Sequence, residues 1–382
     1  QRAGAAAPRE GARPVLPMLT PYSVRGVTLK NRVVVSPTLL YSCKDGVPGS
    51  FHMVHLGSRA LGGAGLVMVE MTAISPDARI TPGCPGLWNN VQAGAFAEIT
   101  DFVHQSTGAR IGVQLGHAGR RGSTQRGWER PEHPLADGNW PLQSASALPY
   151  LPGISQTPAA MTHADMDSVR GDFVAATRRA AEAGFDWVEL QAGHGFLLSS
   201  FISPLTNQRD DAYGGTLDQR LRFPLEVFKA MRDVWPRHLP MSVRISATDW
   251  AAGGTTADDA VLIARRFREA GADMVDCSSG EVTPEQQPVY GRMYQTPMAD
   301  RIRNEGGVPT IAVGAISDAD QVNGIIASGR ADLCALARPH LADASWLLRE
   351  AARLGCRDVD WPEPYRMGKD ALERSFRRVQ HA

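Results

Sequence analysis

Long apolar runs are missing from this 382-residue sequence. None approaches the roughly 20 residues that cross a bilayer, and the N-terminal stretch has no apolar core of the signal-peptide kind. These absences predict a soluble, cytoplasmic protein with no membrane partner. Neither sign of charge dominates: Lys plus Arg number 40 and Asp plus Glu 40. No overall field therefore draws the chain to nucleic acid, and a small-molecule partner is expected. Cysteine is sparse and scattered. Cys43, Cys84, Cys277, Cys334 and Cys356 form no CxxC pair, which argues against structural zinc or an iron–sulfur cluster and suits reduced thiols. Also missing is a GxGxxG between strand and helix. GGAGLV at 62–67 has the wrong spacing and precedes its strand, so no Rossmann-type nucleotide domain is expected.

What is present is a repeat of short apolar runs: NRVVVSP (31–37), GLVMVEMT (65–72), ARIGVQLG (109–116), DWVELQA (186–192), MSVRISA (241–247), DMVDCSS (273–279), PTIAVGA (309–315) and DLCALAR (332–338). They are rich in β-branched residues and nearly continuous in apolar character, as buried parallel strands are. Helical patterns lie between them. In ADMDSVRGDFVAATRRAAEAG, Asp165 is a candidate N-cap, Phe173, Val174 and Thr177 share a face, and Gly184 is placed as the stop. TTADDAVLIARRFREAG repeats the design with Gly271. Eight strand–helix units predict an α/β protein, a (β/α)8 TIM barrel, with its chemistry on the loops that follow the strands.

Two of those loops are long, residues 117–162 and 193–216. With Trp128, Trp140 and Tyr150, the segment after strand 3 reads as an ordered lid over the barrel mouth. Residues 1–17 read as a flexible tether, 18–355 as the barrel and 356–382 as a C-terminal extension. The tether and the absence of a first Met fit either a domain cut from a longer polypeptide or ordinary processing.

Polar side chains interrupt the strand ends: Ser36, Gln114, Gln191 and Arg244. Gln114 and Arg244 suit a heteroaromatic ring with carbonyl and nitrogen edges, such as a flavin, with a core ion pair or cap as the lesser alternative. At the seventh and eighth strand ends, VGAISD and LARPH supply Gly314 and Arg338, which fit a phosphate-bearing cofactor or a plain strand end and surface ion pair. His52 and His55 stand one helical turn apart with nothing nearby to complete a metal site, so a helix start is the expectation. His117 lines a pocket or holds its loop.

Together NRVVVSPTLLYS, HLGSRALGGAGLVMVEMTA, QLGHAGRRG, HGFLLSSFISPLTNQRDDAYGG, SVRISATDW and GRADLCALARPHL resemble the old yellow enzyme family of FMN-dependent ene-reductases over roughly residues 18–355. Within it, SPDARITPGCPGLWN, SQTP, PVYGRMYQTPMADRIRNE and ALARPHLADASW are most similar to the reductase domain of bifunctional salicylyl-CoA or 2-aminobenzoyl-CoA monooxygenase/reductases, where a flavin monooxygenase precedes the barrel. The resemblance implies FMN contacts from Ser36, Pro37, Thr38, Gln114, Arg244, Gly314, Ala337 and Arg338. It also implies a ping-pong cycle in which NADH or NADPH reduces FMN and hydride then passes from flavin N5 to an activated C=C, CoA thioesters included. By the same analogy the protein forms a homo-oligomer, with Arg366, beside Tyr365, near the place where some relatives reach into a neighbouring site; a solvated closing helix explains that segment as well.

Three positions depart from the family pattern. Leu39 stands where relatives often have a flavin-tuning cysteine, while Tyr41 is retained. Gln191 and His194 stand for a His or Asn followed by His, and either can still donate an N–H to a substrate oxygen. Phe196 replaces the proton-donating tyrosine and has no exchangeable proton; a placed general acid is worth about 10²- to 10⁴-fold. The expectation is an FMN oxidoreductase acting on an enone-like or dearomatised aryl substrate, with Tyr41, Tyr294 or water as the proton source. Desaturation or isomerisation, which need no such acid, is the alternative, and a non-catalytic flavin-binding module the second.

Overall fold

The computed structural model describes residues 15–380. All eight expected runs form strands: β1 (Val33–Val35), β2 (Leu66–Ala73), β3 (Arg110–Gly116), β4 (Trp187–Gln191), β5 (Met241–Ser246), β6 (Met274–Ser278), β7 (Thr310–Val313) and β8 (Leu333–Leu336). They pair in parallel and in sequence order, with β8 closing on β1. Outside them lie α1 (Ser50–Leu61), α2 (Asn90–Ser106), α3 (His163–Glu182), α4 (Leu217–Val234), α5 (Ala257–Glu269), α6 (Thr296–Asn304), α7 (Ala319–Ala327) and α8 (Trp346–Arg353). The protein is a (β/α)8 barrel. No helix among the described residues is long and apolar enough to cross a membrane.

The helix stops are where glycine placed them. α3 and α5 end just before Gly184 and Gly271, whose φ of +85° and +107° are the left-handed values such a stop needs. The start of α3 differs from the sequence expectation. Thr162 is the N-cap, accepting the Asp165 N–H, and Asp165 returns a carboxylate to the Thr162 N–H. Asp165 therefore sits three residues inside the helix, because a Thr-x-x-Asp pair satisfies two orphan donors where a lone Asp cap satisfies one. On its inner face Phe173, Ala176, Thr177 and Ala180 are buried, and Val174 is half-buried beside them.

The core has two layers. One fills the space between strands and helices, from Val67 and Ile111 out to Phe173, Phe228 and Phe267. The other fills the lower barrel with Val34, Leu66, Met68, Trp187, Met274, Ile311 and Leu333. An antiparallel hairpin, Tyr22–Val24 and Val27–Leu29, contributes Val27 and Leu29 to that inner cluster. It caps the end of the barrel away from the strand C-termini.

The lid is ordered. Residues 119–121 form a 3-10 turn, and Gln143–Ser144 pairs with Ala159–Ala160. Arg120 ties it to the loop after β6, donating to the Val282 carbonyl at 2.7 Å and to Leu148 and Pro149 at 3.2 Å. Trp128 is exposed, Tyr150 buried, and Trp140 half-buried with Arg79 over its ring. Of the expected tether, residues 1–14 lie outside the described residues, while Pro17–Leu19 form a turn that buries Met18. The C-terminal segment forms a helix, Arg366–Gln380, and Arg366 pairs with Glu363 at the surface.

Candidate functional site

Strand alternation decides which side chains enter the barrel. On β4, Glu189 and Gln191 share the inner face above the apolar layer. The register sets Gln114 beside Glu189, Gln191 beside Arg244, and Arg244 beside Asp276. All five are buried, so each needs partners. Gln114 Nε2 donates to Glu189 Oε1 at 2.9 Å, and Ser242 Oγ donates to Glu189 Oε2 at 2.8 Å while accepting from Trp187. Arg244 Nη1 lies 3.3 Å from Asp276 Oδ2 and 3.4 Å from Ser36 Oγ.

The network continues toward the mouth. Gln191 Nε2 donates to Gln114 Oε1 at 3.3 Å, and Gln191 Oε1 accepts the Gly193 N–H at 2.8 Å. That fixes the orientation of the Gln191 amide, whose second N–H faces His194 Nδ1 at 3.4 Å. His194 then carries its proton on Nε2 and donates to Ser278 Oγ at 2.7 Å. A single chain of hydrogen bonds thus runs from Glu189 through Gln114 and Gln191 to His194.

Two cavities open at the strand C-terminal ends, and both are lined by His194, Arg244 and Glu281. The larger, about 650 Å³, runs past Ser279, Tyr294, Val313, Gly314 and Ala337 to Arg338, with Tyr290 and Arg292 at its rim. Arg338 has no carboxylate partner among the described residues. Gly314 has φ +108°, and a Cβ there would lie 2.4 Å from Gln295 Nε2, which is itself held by the Val313 carbonyl. The smaller cavity, about 210 Å³, is walled by Pro37, Leu39, Met71 and Phe196, with Gln114, Gln191 and Arg121 as its polar groups.

Burial and charge set the protonation states. Burial, with the Arg244 and Arg121 cations behind it, pushes the His194 pKa well down, so the ring is neutral. Burial, then the nearby Asp276 carboxylate, pushes the Glu189 carboxyl up to about 8 against the pull of Arg244. Burial also raises Asp276, with Arg244 opposing. Among the described residues two side-chain atoms in this layer find no hydrogen-bond partner, Arg244 Nε and Asp276 Oδ1.

Phe196 packs with Met71, Ile80, Cys84 and Ala118, and Tyr41 lies against this cluster. The Arg121 guanidinium sits 5.3 Å from the Phe196 ring and 4.3 Å from that of Tyr150. It donates to the His194 carbonyl at 2.6 Å and the Glu281 carbonyl at 2.8 Å, and it pairs with Glu132. Burial raises the Tyr41 phenol, and charged neighbours including Glu132 and Arg121 act on it. Tyr294 is elsewhere: it lines the larger cavity, with its ring 5.3 Å from Tyr290 and 6.5 Å from Trp250, and Arg338 acts on its phenol.

Sequence reasoning named Gln114, Gln191, His194, Phe196, Arg244, Pro37, Gly314, Ala337, Arg338 and Tyr294, each of which lines a cavity, and Tyr41, which lines neither. Ser36 is set back beneath Arg244, and Thr38 spends its hydroxyl on the Ser36 carbonyl. His117 is buried and accepts the Gly119 N–H at Nδ1, leaving Nε2 unpartnered. His52 and His55 lie in α1, and no metal-holding cluster occurs among the described residues. Sequence reasoning missed Glu189, Asp276, Glu70 and Arg121. For the three acids a signal existed, since each is the lone carboxylate inside an apolar strand.

Residues 17–355 match the family described as NADH:flavin oxidoreductase / NADH oxidase. A curated relative, an NADPH dehydrogenase of Geobacillus thermodenitrificans (strain NG80-2), is 40% identical over 353 residues, covering 92% of this chain and 98% of the relative. Another, from Halalkalibacterium halodurans, is 39% identical over 350 residues, 91% of this chain and 97% of its own length. Among solved structures, morphinone reductase superposes with a TM-score of 0.73 at 27% identity, covering 91% of each chain. A complex of 2-naphthoyl-CoA reductase shares the fold with a TM-score of 0.79 at 22% identity; this chain spans 90% of its own length but 53% of that one.

Proposed function

Since the chain belongs to the NADH:flavin oxidoreductase / NADH oxidase family, the old yellow enzymes, and is an FMN-dependent oxidoreductase with a nicotinamide reductant, we propose that it reduces the activated C=C of a planar enone or dearomatised aryl carbonyl compound. In this reading Gln191 holds the carbonyl oxygen and Tyr41 supplies the proton that Phe196 lacks. The observation that carries it is the smaller cavity, which brings Gln191, His194 and Phe196 together beside Arg244, with Tyr41 packed on the Phe196 cluster.

The residues present fit FMN. The larger cavity joins a cationic end at Arg338 to a buried layer whose Arg244 Nε has no protein partner. Gly314, Ala337 and Arg338 would hold the phosphate end, and Arg244 with Gln114 the polar edge of the ring. When bound, FMN supplies the hydride relay between reductant and substrate.

The chain's own part is to orient, polarise and protonate. Gln191 offers its Nε2–H groups to the substrate oxygen by giving up two long bonds, 3.3 Å to Gln114 and 3.4 Å to His194. His194, neutral, is no acid; anchored on Ser278, it holds the Gln191 amide only until the substrate oxygen takes that N–H. Pro37, Leu39, Met71 and Phe196 present apolar walls to a flat ring and exclude water. Of the tyrosines, Tyr41 packs against the cluster that holds Phe196, just outside the smaller cavity's lining, whereas Tyr294 lines the larger cavity toward Arg338. That contrast favours Tyr41. A thioester substrate is accommodated in the same reading by the exposed rim at Tyr290 and Arg292, past which the long thiol portion can leave while the acyl ring stays inside.

Anaerobic half-reactions test this. NADPH or NADH should bleach the bound FMN, and 2-cyclohexen-1-one should restore its colour. Tyr41→Phe should leave bleaching unchanged and slow the restoration by about 10²- to 10⁴-fold. Restoration within twofold of the parent would remove Tyr41 from the mechanism.

A further inference from the structure

Tyr41 occupies a backbone conformation that a side chain resists, with φ +47°. Something must hold it there. Below it, at the C-terminal half of β2, Glu70 is buried and turns its carboxylate toward the loop: Oε2 accepts the Leu40 N–H at 2.8 Å and the Tyr41 N–H at 3.4 Å. Its other oxygen, Oε1, lies 2.8 Å from Nε2 of His52 in α1, and His52 is 1% exposed. A carboxylate can only accept, so the imidazole donates from Nε2. Above, the Tyr41 carbonyl accepts from Arg126 Nε at 3.3 Å, and Gly83 packs so closely that a Cβ there would come 2.2 Å from that oxygen. Neither His52 nor Glu70 lines either cavity, and the chemistry proposed above uses neither.

We propose that Glu70 and His52 are positioning residues for Tyr41. They form a buried carboxylate–imidazole pair that fixes the left-handed turn at Tyr41 and so sets its side chain against the cluster that holds Phe196. His52 orients the carboxylate, the carboxylate satisfies two consecutive backbone N–H groups, and the turn they define aims the side chain. The kinetic consequence rests on the reading of Tyr41 as proton donor, whereas the placement can be read by itself.

The test uses the full-length, FMN-loaded protein with 3-fluorotyrosine at position 41. One narrow ¹⁹F resonance is expected in the parent. His52→Ala should split or broaden it, and His52→Gln, whose amide N–H can replace the ring donor, should restore it. Should His52→Ala fail to hold FMN, His52→Leu fills the ring's volume without a donor and gives the same reading. In parallel, His52→Ala should slow re-oxidation by enone about 10- to 100-fold, the scale of a misplaced reacting group. It should leave reduction within twofold and add nothing in a Tyr41→Phe background. An unchanged ¹⁹F signal in the folded His52 variants overturns the proposal, as does equal slowing of both half-reactions. A moved signal together with a Tyr41→Phe that re-oxidises normally leaves the clamp standing and removes only the proton-donor reading.

Discussion

Phe196→Tyr asks whether this site lost an acid or moved it. The ring is 6% exposed, lines the 210 Å³ cavity and lies 5.3 Å from the Arg121 guanidinium. A para hydroxyl at the cavity wall has room. Even with no partner its burial costs about 1–3 kcal/mol, which a folded barrel of this size tolerates. A placed acid is worth about 10²- to 10⁴-fold, or about 2.7–5.4 kcal/mol of barrier at 1.36 kcal/mol per tenfold. If Tyr41 already fills that role, the new phenol adds less than about tenfold to the parent but recovers most of that factor in a Tyr41→Phe background. The assay is anaerobic re-oxidation of four reduced proteins, the parent, each single variant and the double, by 2-cyclohexen-1-one. Equal gains in the two backgrounds would refute Tyr41 as the donor. A loss of turnover on the physiological substrate would point instead to desaturation or isomerisation, chemistry for which an acid at 196 is an intruder.

Arg244→Leu should strip FMN from the purified protein, seen as loss of its visible absorbance. It should also lower stability by about 3–5 kcal/mol in denaturant titrations, because Asp276 is left buried without its cation; Asp276→Leu in the same chain should recover part of that stability. Glu189 gives a pH signature. Its folded pKa, about 8, lies above the ordinary 4.5, so the native state holds the proton that the unfolded state has released, and stability falls as pH rises between those values. Glu189→Gln should flatten that slope in denaturation midpoints measured from pH 5 to 9. Gly314→Ala places a Cβ 2.4 Å from Gln295 at φ +108°. It should cost about 1–2 kcal/mol in backbone strain and weaken FMN binding, measured by fluorescence titration of the apoprotein.

The barrel was legible because its strands are buried on both faces, which leaves continuous apolar runs that periodicity finds without help. Gly184 and Gly271 marked helix stops through a backbone requirement local to each. Thr162 was harder: cap and partner are both common polar residues, and only the reciprocal bonds show which one leads. At the site, Gln114, Gln191 and Arg244 stood out as polar residues at apolar strand ends. Phe196 drew attention only through the family resemblance, which implies a tyrosine at that place. What the linear chain hid were relations between distant segments. His52 and Glu70 are 18 residues apart on a helix and a strand, and nothing local says that the carboxylate turns back to hold residues 40 and 41. Arg121 reads as one of two adjacent arginines, until folding sets it on Phe196 while Arg120 goes to Val282.

The hairpin at residues 22–29, seated on the apolar floor of the barrel, leaves both cavities to open on one face, at the strand C-terminal ends. In the proposed cycle reductant and substrate therefore approach the flavin from the same face, and each blocks the other while inside. Excess of either should therefore slow the enzyme, and the order of events is imposed by the architecture as much as by the chemistry.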